Sequence, residues 1–167
     1  TAVVNGEIER YRSSLEEGRH TDKPLVPFHW ELEFSEVFER ENPGFDALNG
    51  NPPFAGAVQL ARALGERYSS YLRQNLAGIS GQTDLAAFFF RQSFDLLREK
   101  GCMGFLATNT IAQGDTRESG LSWICENGGD IYSVTKRLRW PGRANVTISR
   151  IHISKGKLIR QPILSGD

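Results

Sequence analysis

Phe45-Asp46-Ala47-Leu48-Asn49-Gly50-Asn51-Pro52-Pro53-Phe54 is a short strand-like run that meets two consecutive prolines. Residues 45–49 read as a short buried strand. Gly50 and the diproline forbid its continuation, because proline lacks the N–H that a ladder needs and fixes its own φ. The strand therefore ends in a stiff loop. Everything on either side is organised by what such a strand and loop require.

Downstream, Leu60, Ala61, Leu64, Tyr68, Tyr71 and Leu72 recur at intervals of three and four, predicting a helix over 57–76. A polar loop follows, and Thr83 or Asp84 can cap a second helix with Leu85, Phe88, Phe89, Leu96 and Leu97 as its apolar positions. Gly101 is placed to stop that helix, and Cys102-Met103-Gly104-Phe105-Leu106-Ala107 reads as a buried strand. A third helix is predicted over 116–127, and strands over 131–138 and 145–154, separated by Trp140-Pro141-Gly142-Arg143-Ala144-Asn145. Val146 and Ile148, then Ile151 and Ile153, change phase, which implies a bulge or a strand buried on both faces.

Upstream, Ile8, Tyr11 and Leu15 at helical spacing predict a helix over 5–18, ending near Gly18. After the turn-rich residues 21–27, Phe28, Trp30, Leu32 and Phe34 alternate with His29, Glu31, Glu33 and Ser35, a period of two that predicts an extended segment. The expected organisation is an N-terminal helix and lead-in over 1–44 and a main part over 45–167, one structural domain overall. Strand, helix, strand, helix and a closing hairpin make an open α/β sheet, and ligands of such sheets gather at the carboxyl ends of the strands. Asn51-Pro52-Pro53-Phe54 lies at one of those ends.

The composition narrows the classes of function. In 167 residues, 20 Lys+Arg balance 20 Asp+Glu, and 17 Gly and 7 Pro exclude collagen-like and wholly disordered chains. No apolar run is long enough to cross a bilayer, so no membrane partner is expected. Two cysteines, Cys102 and Cys125, make no disulfide framework, and residues 1–10 have no secretion signal; the expected location is the cytoplasm. The neutral total hides a gradient. Residues 1–54 hold 5 basic against 11 acidic side chains, whereas 130–167 hold 8 against 2, a footprint suited to a polyanion. His20, His29 and His152 lack ligand spacing and read as structural, so no metal is expected. Glu31, Glu33 and Glu36 read as a solvated strand edge.

The loop itself suggests a chemistry. An exocyclic amine on a nucleobase is a poor nucleophile, since its lone pair is delocalised into the ring. A catalyst must accept its N–H bonds and hold the nitrogen toward an electrophilic carbon. Asn51 offers a side-chain carbonyl and Pro52 a backbone carbonyl, on a loop that proline keeps from refolding. Phe54 offers a face on which a base swung out of its duplex can stack. The proton can leave after transfer, so no general base of unusual pKa is needed.

Residues 45–54, preceded by Pro27-Phe28-His29-Trp30-Glu31-Leu32-Glu33-Phe34-Ser35-Glu36-Val37-Phe38 and followed by residues 84–109, resemble the catalytic half of a DNA adenine-N6 methyltransferase. The similarity is to the large bacterial restriction-modification and phage-defence methylases and spans roughly 24–155. The resemblance implies a partial Rossmann-like methyltransferase sheet, S-adenosylmethionine as methyl donor and double-stranded DNA as partner. It also implies that Asn51 and Pro52 bind the target amino group and that Phe54 stacks on the base. Trp140 is the candidate for the family's second base-covering aromatic, and equally reads as a Trp covering the end of the hairpin; Arg137, Arg139, Arg143 and Arg150 are candidates for DNA phosphates. The glycine-rich turn that holds the donor follows the first strand in such proteins. The 50 residues before Asn51 contain no G-x-G. The expectation is therefore a piece of a longer enzyme without the first donor-binding β-α units, inactive alone, with an exposed sheet edge that invites pairing with a second copy. RNA guanine-N2 and protein glutamine methyltransferases carry similar loops, and a non-catalytic binding module on the same scaffold is the remaining reading.

Overall fold

The computed structural model describes residues 28–54, 56, 62, 66–76, 78–79, 82–140, 146–157 and 163–165. The predicted helix over 5–18, His20 and Arg143 lie outside the described residues, as do Leu60, Ala61 and Leu64 of the predicted 57–76 helix. The chain divides into two compact units, 1–35 and 36–167.

In the first unit residues 30–33 are helical rather than extended, and His29 before them keeps an extended backbone, with φ −108° and ψ 104°. Helix α1 (Trp30–Glu33) forms one turn, and α2 (Ser35–Phe38) begins directly after it. The aromatic alternation that suggested a strand also fits i, i+4 spacing, which governs here: Trp30 stacks on Phe34 at 5.8 Å and 18°. Phe28 meets Trp30 edge-on at 5.0 Å. Glu31 and Glu33 lie in the first turn of α1, where an acidic side chain favours the helix dipole. They are exposed residues of a helical turn, not of a strand edge.

The second unit is a five-stranded sheet in the order β1-β2-β4-β3-β5, formed by β1 (Phe45–Gly50), β2 (Leu97–Thr108), β3 (Gly129–Arg139), β4 (Thr147–Lys155) and β5 (Ile163–Ser165). β1 and β2 are parallel, β4 is antiparallel to both β2 and β3, and β5 adds to β3 in parallel. This mixed α/β sheet, with a closing β3–β4 hairpin, is the expected fold class. Three details differ from expectation. β1 is an edge strand with four of its six residues exposed, because a terminal strand has one neighbour to cover it. β3, which carried no sign of a bulge, slips between Ile131 and Ser133 and between Thr135 and Leu138, while β4 pairs with β2 without a shift and is the strand buried on both faces, Ile148 beside Ser149 and Ile153 beside Ser154. β5 gave no sequence signal, being three residues with an exposed Ile163 and Leu164.

Helix α3 (Glu66–Asn75) and helix α4 (Leu85–Leu96) fill the crossover from β1 to β2. Asp84 caps α4 by accepting from the Ala86 N–H at 2.9 Å, as its position predicted. α4 ends before Leu97, so β2 begins five residues earlier than expected, and Gly101 lies inside the strand. A Cβ at Gly101 would stand 2.7 Å from the Phe45 carbonyl oxygen, so glycine is required there by the approach of β1. Lys155 seals the other end of α4, its Nζ donating to the carbonyls of Asp95 at 3.1 Å and Leu97 at 2.8 Å.

After β2 comes a 3-10 turn (Asn109–Ala112) and then an unbroken helical stretch, α5 (Gly114–Arg117), a π-turn (Glu118–Ser122) and α6 (Trp123–Glu126). The π-turn sets Gly120 against Ala87, where a Cβ would stand 3.1 Å from the Ala87 Cβ. It also gathers Ser119 with Thr83 at 2.9 Å, and the buried Arg91 guanidinium lies 3.8 Å from the Trp123 ring centre. The core forms on this side of the sheet: Ala86, Ala87, Phe90 and Phe94 of α4, with Ile111 and Ile124, pack on Met103, Phe105, Ala107, Ile151 and Ile153. Among the described residues no helix is long and apolar enough to cross a membrane.

The amino end of β1 is held by charge. Asp46 accepts from Arg98 Nε at 2.6 Å and from Arg40 Nη2 at 3.0 Å, and Arg40 also donates to the Gly44 carbonyl. The hydrogen bond from Arg98, then that from Arg40, holds the Asp46 carboxyl below its ordinary pKa. A carboxylate whose pKa is lower folded than unfolded stabilises the fold above the unfolded value, and that contribution disappears as pH falls through the folded value. Asp46→Asn is therefore expected to flatten the acid limb of the stability curve below about pH 4. Urea midpoints measured across that range check this; an acid limb identical to wild type would remove Asp46 from the account.

Candidate active site

The carboxyl ends of the parallel strands define one rim of the sheet. Gly50, the last residue of β1, pairs with Phe105 of β2, and a Cβ on Gly50 would stand 3.2 Å from the Phe105 ring. Phe105 in turn meets Phe90 of α4 edge-on at 5.2 Å and 88°. An aromatic pair thus supports the point at which the chain leaves β1, and a Cβ on Gly50 would require the Phe105 ring to give by a few tenths of an ångström.

Beyond that point Asn51 is exposed, Pro52 is buried, Pro53 is exposed and Phe54 is half-buried. Phe54 packs against the main core cluster. The buried Pro52 anchors the loop while Asn51 stays in solvent, which suits an acceptor that must meet a ligand. Phe54 has part of its ring committed to the core and part accessible, so it both secures the loop and retains a surface for stacking.

Trp140 follows directly after β3. Its N–H donates to the Val146 carbonyl at 3.0 Å, carrying the β3–β4 hairpin one pair beyond the strands. The indole is half-buried. In the sheet order, β2 and β4 lie between β1 and β3, so Asn51 and Trp140 occupy the same rim three strand spacings apart across the sheet, about 14 Å, and Trp140, bonded to Val146, stands about 13 Å farther along the strands than Asn51, which follows a residue level with Ile151.

The arginines do not form a single row. Arg137 has φ 56° at the second slip of β3 and is exposed, while Arg139 pairs with Thr147 near the rim and is also exposed. Arg150 pairs with Leu106 and Thr135, and its Nη2 donates to Thr135 Oγ1 at 3.3 Å, which directs it across the sheet. Of the histidines, His29 is exposed and His152 is half-buried, its ring stacked on Tyr132 at 5.8 Å and 19°. Burial, and then the nearby Arg150, pushes the His152 pKa down. Among the described residues no group of three or more His, Cys, Asp or Glu side chains is placed to hold a metal ion.

Two features of the site had little sequence signal. Gly104 pairs with Asn49 and His152, and a Cβ there would come 2.7 Å from both Asn49 Oδ1 and His152 Cδ2, so both side chains lean over the glycine on the face away from the core. At the rim, Thr108 and Thr110 share a hydroxyl hydrogen bond of 2.7 Å beside an exposed Asn109. The run Ala107-Thr108-Asn109-Thr110 is polar where a buried strand ends, which is the only hint the sequence offers.

The glycines that flank β1 were tested as a cradle for a nucleoside-bearing methyl donor. A Cβ on Gly44 would stand 2.5 Å from the Arg98 nitrogen and 2.8 Å from the Leu96 carbonyl, and the space at Gly50 belongs to Phe105. The opening at Gly44 is filled by the chain's own backbone, so Gly44 does not fit such a role, while Gly50 is exposed and faces the Phe105 ring on the side a Cβ would take.

A family model described as Eco57I restriction-modification methylase matches residues 4–128. No curated protein matches. Among solved structures, a protein from Listeria monocytogenes described as a class I S-adenosylmethionine-dependent methyltransferase superposes with a TM-score of 0.53 at 15% identity, covering 74% of this chain and 38% of that one. The Type IIL restriction-modification enzyme MmeI, solved in complex with DNA, gives 0.58 at 20% identity, covering 72% and 17%. The modification subunit of a type I restriction enzyme from Vibrio vulnificus gives 0.50 at 12%, covering 76% and 25%. At such identities the likeness is one of fold, and this chain spans between 17% and 38% of those structures' lengths.

Proposed function

Because this chain belongs to the Eco57I restriction-modification methylase family, we propose that the protein containing it methylates the N6 amino group of adenine in double-stranded DNA, as the modification activity of a restriction-modification or phage-defence system. The observation that carries this reading is the loop after β1. Asn51 is exposed at the carboxyl end of the strand while Pro52 is buried beneath it, so an amide acceptor is held in solvent by a fixed backbone.

In this reading Asn51 Oδ1 and the Pro52 carbonyl accept the two N–H bonds of the adenine amino group. That orients the nitrogen and draws its lone pair out of conjugation with the ring. Phe54 supports one face of the extruded base, and Trp140, farther out on the same rim, is the candidate for the other. Arg137 and Arg139, exposed on β3, are assigned to the duplex backbone, and contacts of this kind fix register without reading sequence. S-adenosylmethionine would supply the electrophilic methyl in the whole protein; Gly44 is closed to it, and Asn51, Pro52 and Phe54 are assigned to the acceptor.

The test uses the full-length protein and donor labelled in the methyl group, offered to duplex DNA, RNA and peptide. Label recovered from DNA as N6-methyladenine is the expected result. Label found only in RNA or in protein would overturn the DNA assignment.

A further inference from the structure

The proposal concerns the turn that follows β2, and it rests on the reading just given. β2 runs three residues past the level at which β1 ends: Gly50 pairs with Phe105, and Leu106, Ala107 and Thr108 continue alone on that side. At the rise of a strand this is about 10 Å of overhang. Thr108 pairs on its other side with Ile148 of β4, whose own partner Leu138 lies two residues before Trp140. The corner Thr108-Asn109-Thr110 therefore stands between the Asn51 loop and Trp140 on the rim, and farther from the body of the sheet than Asn51.

Its chemistry is neutral and donor-rich. Thr108 Oγ1 and Thr110 Oγ1 are 2.7 Å apart, and either can donate to the other. One hydroxyl hydrogen closes that pair and the second is free to leave it. Asn109, exposed at the apex, adds an amide with two donors. The turn is held independently by the Gln113 N–H donating to the Thr110 carbonyl at 3.0 Å, so the hydroxyl pair is not needed to close it. The Ile111 side chain, 1% exposed, plugs the turn into the core.

We propose that this corner binds the phosphate of the extruded target nucleotide. With the base facing Asn51 and Phe54, the sugar and phosphate must leave the loop outward, along the overhang of β2, and the first polar groups they meet are those of Thr108, Asn109 and Thr110. Hydroxyls and side-chain amides are ordinary phosphate donors, and they lose less hydration than a lysine would on being covered.

The experiment compares Thr108→Val/Thr110→Val with wild type in the full-length protein, on duplex DNA with either natural phosphates or one methylphosphonate beside the target adenine. The double variant is expected to raise the KM for DNA about tenfold while kcat stays close to wild type. The methylphosphonate is expected to raise the wild-type KM by a similar factor and the double variant's no further. Thr110→Ser keeps a hydroxyl and is expected to match wild type. Asn109→Ala leaves the hydroxyl pair and the turn in place, so a smaller rise in KM of the same kind reads the proposal even where the double variant unfolds. A wild-type KM in both the double variant and Asn109→Ala, or a methylphosphonate penalty undiminished in the double variant, overturns the proposal while adenine methylation by wild type stands. No methyl transfer to DNA by wild type overturns the reading beneath it as well.

Discussion

Replacing Asn51 with alanine in the full-length protein is expected to lower kcat for DNA methylation by at least about 100-fold, and up to about 1,000-fold, the range seen when one preorganised polar group is removed from a reacting centre. The side chain is exposed and the buried Pro52 holds the loop, so the unfolding transition is expected to stay where it is. DNA affinity should change little, because the base contributes one contact among many to the backbone. Asn51→Asp keeps an acceptor oxygen and is expected to retain part of the rate. Single-turnover methylation beside DNA-binding anisotropy checks the prediction, and a kcat within a few-fold of wild type would mean that the amide does not hold the reacting nitrogen.

The second large effect is on the fold. Phe90 is fully buried in the middle of α4 and lies edge-on to Phe105. Phe90→Ala removes one half of the aromatic pair under Gly50 and leaves a cavity between α4 and β2, expected to cost about 3–5 kcal/mol. Against a total stability of about 5–15 kcal/mol, that is a large fraction. Phe90→Leu fills most of the space and should cost much less. Urea unfolding of the full-length protein, followed by near-ultraviolet dichroism, gives the measurement; a loss under about 1 kcal/mol for Phe90→Ala would show that the site collapses around the deletion.

Much of the second unit was legible because its signals are local and agree with one another. Asp84 before an apolar 3.6-period run specifies α4, and Pro52 and Pro53 end β1 whatever the neighbouring strand does. The β3–β4 hairpin shows through its alternation. The illegible parts depend on tertiary neighbours. Phe28, Trp30 and Phe34 satisfy a period of two and an i, i+4 pair equally well, and the contact between Trp30 and Phe34 decides for the helix. The phase change near Ile151 left a bulge and burial on both faces open, and the structure decides for burial, since β4 has no shift against β2 and the slips fall in β3, which only its packing against β4 reveals. At the site, the loop from Asn51 to Phe54 could be found from its prolines, whereas the Thr108–Thr110 corner is marked in the sequence by no more than a polar run, and its place on the rim emerges from the register that carries β2 beyond β1.

The strand order has a consequence for how the molecule is made. β4 occupies the slot between β2 and β3, yet it is synthesised after both. Until residue 155 has left the ribosome, β2 and β3 have no ladder to share, and residues as distant as Cys102 and Ser154 must meet to close it. At roughly 5–20 residues per second the exposed edges wait for seconds. While residues 140–155 are being added, neither β2 nor β3 has the neighbour that it has in the finished sheet, and unpaired edges of that kind are templates for other chains.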